Sequence, residues 1–230
     1  MKITNYLNAT KEKAESREYN LWIGISLGNK YFTPERLRDY VTSCLKITRE
    51  KVLVIVADEP QAINYEVFEG KSHEAALAKA HRKGEDVFRI LEDIVVQLSE
   101  YDKAKVKIVR WRELAETSWY QERLKIFKVV FQNKDFKDKL TQIVQMNMGD
   151  RLDKIEALQV ERLAMYVLEE LPIFMGALNF EGHDYDLHLY PGLSLLDNLI
   201  IDLQKGKIFP EIAERISVTR ELAIIEAYAD

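Results

Sequence analysis

Three short apolar runs stand out along the chain: 20–26 (NLWIGIS), 51–57 (KVLVIVA) and 105–111 (KVKIVRW), all rich in isoleucine and valine. Two are nearly continuous rather than alternating, the pattern of strands covered on both faces. Material of helical periodicity separates them. Thr33 followed by Pro34 forms an N-cap and first-turn pair, which predicts a helix over about 34–45. Ser72, with Ala75, Leu77 and Ala80 behind it, opens a charged helix predicted to run to about Leu98, with Gly84 as a point of interruption. A fourth strand is expected over 184–190 (DYDLHLY), ending at Pro191-Gly192, and an amphipathic segment follows over 193–204. Strand and helix alternate. The expectation is an α/β fold with a mostly parallel sheet and helices on both faces.

Between about 118 and 179 the pattern becomes helical throughout. Gly149-Asp150 breaks it before a long run, RLDKIEALQVERLAMYVLEELPIFMGAL, in which Pro172 should kink or restart the helix. No internal repeat or linker rich in Gly, Pro or Ser interrupts the 230 residues, so residues 1–230 read as one domain with a helical elaboration at 118–179. Nine glycines and five prolines are too few for an all-β sandwich.

Charge narrows the partners. Thirty-three basic against thirty-eight acidic residues give a net charge of -5, which excludes a uniformly basic nucleic-acid coat but allows a local basic patch. Cys44 is the only cysteine, which rules out an internal disulfide and suits a reducing compartment. The opening MKITNYLNATKEKAESREYN lacks the apolar core of a signal peptide, and no apolar run is long enough to span a membrane. A soluble, cytoplasmic chain acting as a monomer is expected.

Four groups of residues could carry chemistry. Ser26 ends an apolar strand in Gly24-Ile25-Ser26-Leu27-Gly28-Asn29, and the carboxyl ends of strands are where open α/β sheets bind ligands. By the strand period of two, Gly24 and Trp22 face the same side as Ser26. No helix opens directly after Ser26, unlike the nucleophile elbow of α/β-hydrolases; a plain strand-ending turn explains the motif as well. In Tyr166-Val167-Leu168-Glu169-Glu170-Leu171-Pro172, Tyr166 and Glu170 share a helix face near the apolar side. A carboxylate there needs a cationic partner, either a Lys or Arg of the protein or a ligand's ammonium group. Tyr190 and His188 project to one side of the strand before Pro191. Lastly, Lys71, Lys79, Arg82, Lys83 and Arg89 form a ridge able to meet phosphates, although interspersed Glu74, Glu85, Asp86 and Glu92 equally suit a solvated face. Arg110-Trp111-Arg112 and Lys134, Lys137 and Lys139 are further basic candidates. His73, His81, His183 and His188 show no metal-ligand spacing, so no metal site is expected.

Taken in order, these motifs resemble the tRNA-dependent cyclodipeptide synthases. GISLGN is similar to that family's nucleophile segment, with Ser26 at the acylated serine. Tyr166-x-x-x-Glu170-x-Pro172 is similar to the tyrosine and glutamate that hold the aminoacyl group, and Tyr190 in LHLYP to the second tyrosine. VADEPQAINYE resembles the segment at the second-substrate pocket. Pro191 resembles one branch of the family and Asn29 the other. The resemblance implies a Rossmann-like fold akin to the class I catalytic domains of tyrosyl- and tryptophanyl-tRNA synthetases. It also implies two aminoacyl-tRNAs as substrates and no cofactor, since their esters are already activated; ATP motifs of the HIGH and KMSKS type are missing. The reaction implied is ping-pong formation of a cyclic dipeptide (a diketopiperazine) through aminoacyl and dipeptidyl esters of Ser26. Within it, Trp22, Gly24 and His188 are expected in the first pocket by strand parity, Val54 in the second, and Asn29 orienting turn or substrate. Lys79, Arg82, Lys83 and Arg89 are expected against tRNA. Two other readings fit parts of the set. A serine hydrolase or acyltransferase of small esters lacks its Asp and His partners; an inactive tRNA-binding module would have little need for Ser26, Tyr166, Glu170 and Tyr190 together.

Overall fold

The computed structural model describes residues 1–149, 151 and 155–229. Asp150 of the predicted break and residues 152–154 of the predicted long helix lie outside that set. The strands are β1 (Lys2–Leu7), β2 (Leu21–Ser26), β3 (Val52–Ala57), β4 (Val106–Arg110), β5 (Leu178–Phe180), β6 (His183–Tyr185), β7 (Leu187–Tyr190) and β8 (Ala223–Tyr228). The first helices are α1 (Lys11–Glu15), α2 (Pro34–Ile47), α3 (Gln61–Glu69), α4 (His73–Val96), α5 (Glu100–Lys103) and α6 (Trp111–Ala115). They are followed by α7 (Ser118–Val130), α8 (Lys134–Met148), α9 (Ala157–Phe174), α10 (Leu195–Gln204) and α11 (Pro210–Ile216).

Six strands form one sheet in the order β1-β8-β7-β2-β3-β4, parallel except where β1 pairs antiparallel with β8; β5 and β6 make a separate hairpin. The three apolar runs are β2, β3 and β4. β3 is buried at every position because the sheet is covered twice. On one face Leu21, Ile23, Ile25, Val52, Val54 and Val56 pack with residues of α2 and α4. On the other, Trp22, Leu53, Ile55 and Val109 meet residues of α7, α8, α9 and α10. The fold is Rossmann-like, and its strand order reverses between β2 and β7: β3 and β4 extend the sheet on one side of β2, β7 and β8 on the other. Crevices at such a reversal, beyond the carboxyl ends of the strands, are where open α/β sheets hold ligands.

Local signals placed most helix starts. Thr33 accepts from the Arg36 amide and Ser72 from the Ala75 amide, each satisfying a donor that the first turn leaves free. Two expected breaks did not occur. α4 runs unbroken through Gly84, whose missing side chain lets Asp58 approach: a Cβ there would fall 2.6 Å from it. α9 continues through Pro172 to Phe174 rather than restarting. Pro172 sits in the last turn, so little helix remains for it to disturb, and nearby carbonyls find side-chain donors. The Tyr120 hydroxyl donates to Glu169 O (2.8 Å), and Arg123 Nη1 donates to Met175 O (2.6 Å). The strand expected over 184–190 divides into β6 and β7 at Asp186, whose buried carboxylate accepts from the Asn20 amide (2.9 Å) and pairs with Arg220. β1 and β8 have no counterpart in the sequence reading, and the stretch to about 179 expected to be helical ends early, with α9 stopping at Phe174 and β5 beginning at Leu178.

Candidate active site

Parallel pairing of β2 with β7 brings Trp22 opposite His188, and both strands end at the reversal point, β2 in Ser26 and β7 in Tyr190. α9 crosses the same face and contributes Tyr166 and Glu170. All of these residues, with Gly24, line one cavity of about 270 Å³. Trp22, Gly24, Ser26, Tyr166, Glu170, His188 and Tyr190, expected separately from three segments, are therefore assembled around one space.

Val54 is not among them. It pairs with Ile23, faces the opposite core and is fully buried there; the β3 residues on the cavity side are Ile55 and Ala57. Asn29 lies behind Tyr190. Its Nδ2 donates to the Tyr190 hydroxyl (3.2 Å), while its Oδ1 accepts from the Tyr31 amide (2.9 Å), so one side chain ties the turn after Ser26 to the phenol. The turn itself is closed by the Asn29 amide donating to Ser26 O (3.2 Å).

The electrostatics are those of an enclosed site with an excess of carboxyl groups. Burial raises the Glu170 carboxyl to about 7, opposed by hydrogen bonding to Tyr166 and reinforced by Glu169 and Asp197. No lysine, arginine or histidine among the described residues forms an ion pair with it. Burial also raises Tyr166 far above the usual phenol range, with hydrogen bonding to Ser26 acting in the other direction. Tyr190 is raised too, chiefly by burial, against hydrogen bonds to Asn29 and Ser26. Both phenols are therefore neutral donors near neutral pH. His188 is lowered to about 3 by burial and stays an uncharged imidazole. It stacks on Trp22 with ring centroids 3.8 Å apart, and neither ring nitrogen has a hydrogen-bonding partner. It is not paired with Ser26 as the base of a hydrolase dyad would be.

Several wall residues escaped the sequence reading. Phe174, Trp111 and Leu196 supply apolar surface, and Asp197 enters from α10. Ser194-x-x-Asp197 is a capping box, in which the Asp197 carboxyl accepts from the Ser194 amide (2.5 Å) and the Ser194 side chain accepts from first-turn amides, and that spacing was the available signal. Among the basic candidates, Arg110 is committed to Asp58 and Glu85, and Arg112 to Glu116. Lys134 pairs with Asp138, and Lys137 with Glu161. On α4, Lys79 pairs with Glu69 (2.6 Å) and Arg89 with Glu85 (3.0 Å), Lys83 lies over the Tyr65 ring at 5.5 Å, and Arg82 is exposed.

A serine hydroxyl, two phenols and a carboxyl group without a cationic partner among the described residues are thus gathered at the reversal point of a Rossmann-like sheet. The sequence pattern of the cyclodipeptide synthases matches residues 4–206, and the chain belongs to that family. It is a tRNA-dependent aminoacyltransferase that makes cyclic dipeptides from aminoacyl-tRNAs. The fold is similar to that of a cyclodipeptide synthase from Bacillus thermoamylovorans, with TM-score 0.74 and 17% identity over 95% of this chain and 92% of that one. It is also similar to a Mycobacterium tuberculosis protein whose structure relates cyclodipeptide synthetases to type I tRNA synthetases, with TM-score 0.73 and 19% identity over 96% and 91%. A cyclodipeptide synthase from Candidatus Glomeribacter gigasporarum, bound to Phe-tRNAPhe, matches with TM-score 0.57 and 18% identity over 90% and 86%. No curated protein sequence matches the chain significantly. No helix among the described residues is long and apolar enough to cross a membrane.

Proposed function

We propose that Ser26 is the covalent acceptor in a ping-pong synthesis of a diketopiperazine. The reading is carried by one observation: a half-buried carboxyl group, Glu170, without a basic partner among the described residues, beside Tyr166 and lining the same cavity as Ser26. The ammonium group of an aminoacyl ester is a cation that such a carboxylate would hold. With the amine anchored, the ester carbonyl is directed toward Ser26.

In the first step Ser26 Oγ bonds to that carbonyl carbon, the bond to the tRNA ribose oxygen breaks, and the serine proton passes to the departing oxygen. Tyr190, whose hydroxyl accepts from Asn29, relays it. One oxygen ester replaces another, so no further energy source is required. The amine of the bound aminoacyl group then attacks the ester of a second aminoacyl-tRNA. An amide forms, the second tRNA leaves, and a dipeptidyl ester remains on Ser26. Glu170 with a pKa near neutrality suits both holding the ammonium and accepting its proton. Finally the free amine of the dipeptide attacks the Ser26 ester and closes the ring; tethering makes this closure intramolecular. The exposed part of α4, with Arg82, Lys83 and Arg89 and flanked by Lys79, is the face assigned to tRNA phosphates. The relative bound to Phe-tRNAPhe supports a substrate of that class.

Ser26→Ala provides the test. Wild-type protein incubated with labelled aminoacyl-tRNA is expected to carry the label as an ester and to release a diketopiperazine seen by mass spectrometry. The variant is expected to do neither. Equal product from both proteins would remove Ser26 from its role.

A further inference from the structure

The inner end of the cavity is more polar than its aromatic walls suggest. Trp22 Nε1, His188 Nδ1 and His188 Nε2 have no hydrogen-bonding partner, and the two side chains are only 0% and 3% exposed. Both line the cavity. Phe174 packs its ring against them, with centroids 5.2 Å from Trp22 and 5.1 Å from His188, and offers only hydrocarbon. A Cβ added to Gly24 would lie 3.8 Å from His188 Nε2, so this nitrogen borders the room the glycine leaves open. Gly24 and Trp22 lie roughly 7 and 13 Å below Ser26 along the same face of the strand. An acyl group esterified to Ser26 would direct its side chain into that room.

We propose that this inner end selects the side chain of the first aminoacyl group, favouring a neutral side chain with hydrogen-bonding atoms over a hydrocarbon of the same shape. The proposal rests on Ser26 being the acyl acceptor. A neutral imidazole presents one donor and one acceptor, and the indole a further donor. A hydrocarbon occupant leaves these groups unmet in a dry pocket, whereas a matched polar one pairs them, and sites built in that way discriminate strongly. Charged side chains fit less well. Glu170 and Asp197 line the same cavity and repel a carboxylate, while the uncharged imidazole gives it no counter-ion. A cationic side chain finds no anion among Trp22, His188 and Phe174, and Glu170 is taken by the α-ammonium group.

The test charges one tRNA body with each natural aminoacyl group in turn and measures the rate of ester formation on the full-length enzyme. The fastest group is expected to be neutral and hydrogen-bonding, ahead of its hydrocarbon counterpart (tyrosine over phenylalanine, asparagine over leucine) by about tenfold or more. His188→Phe, which keeps a ring but removes both nitrogens, is expected to shrink that ratio toward one. A wild-type preference for a hydrocarbon or charged group overturns the proposal while leaving the Ser26 reading intact. Failure of every aminoacyl group to become attached to Ser26 overturns the reading beneath it.

Discussion

Two carboxyl groups, Asp58 just beyond β3 and the half-buried Glu170 on α9, are treated in opposite ways. Asp58, just beyond β3 and 1% exposed, is fully met. It accepts from Arg110 Nε (2.8 Å) and from the amides of Glu59 (3.0 Å) and Trp111 (3.3 Å), and Arg110 also reaches Glu85. Glu170 has a phenol, two repelling carboxylates and, among the described residues, no cation. The first is a fastening between β3, β4 and α4. The second has no such partner among the described residues, so the folded chain favours its protonated form.

The contrast is broken most forcefully at Asp58. Asp58→Ala would remove the buried acceptor shared by Arg110 and the Glu59 and Trp111 amides, leaving the guanidinium only Glu85 and the His81 carbonyl, with an expected stability loss of about 3–5 kcal/mol in denaturant unfolding. An unchanged midpoint would show the cluster to be dispensable. At Glu170 the sign should invert. Its carboxyl is raised from 4.5 to about 7, so the folded state binds the proton more tightly than the unfolded state, and stability falls as pH rises through that window. Glu170→Gln should therefore match wild type near pH 5 and exceed it near pH 8 by up to about 3 kcal/mol in thermal unfolding. The same variant should lose about a hundredfold in product formation, because the substrate's ammonium group meets no charge. In wild type, kcat/KM should decline as pH drops below about 7, where the carboxyl is protonated. Full activity of the variant, or a stability difference that does not grow with pH, would end the distinction. The smallest effect is expected from Gly84→Ala. Its new Cβ would meet Asp58 at 2.6 Å, and overpacking of this kind costs about 1–3 kcal/mol; it should weaken the fold without altering the pH profile of catalysis.

Much of the site was legible because strand parity is a local property. Trp22, Gly24 and Ser26 had to share a face, as did His188 and Tyr190, and the turn chemistry around Asn29 and Pro191 marked both strand ends. Val54 failed for an equally physical reason. A strand buried on both faces is apolar at every position, so 51–57 carries no alternation to show which parity looks toward the ligand; only its pairing with β2 decides this. β1 escaped notice because KITNYL mixes polar and apolar residues, as an edge strand can, and its partner lies more than two hundred residues away. Gly84 and Pro172 obeyed their intrinsic propensities less than their surroundings: one makes room for Asp58, the other falls where α9 is about to end. The missing cation beside Glu170 was beyond sequence reasoning, since a chain with thirty-three lysines and arginines offers many candidates and spacing does not exclude them.

That missing cation also bears on how turnover ends. Under the proposed chemistry each intermediate carries an amine that the carboxylate can grip, whereas the finished ring has converted both amines into amides. Closure thus removes the handle by which the cargo was retained, and the neutral product has no electrostatic reason to linger.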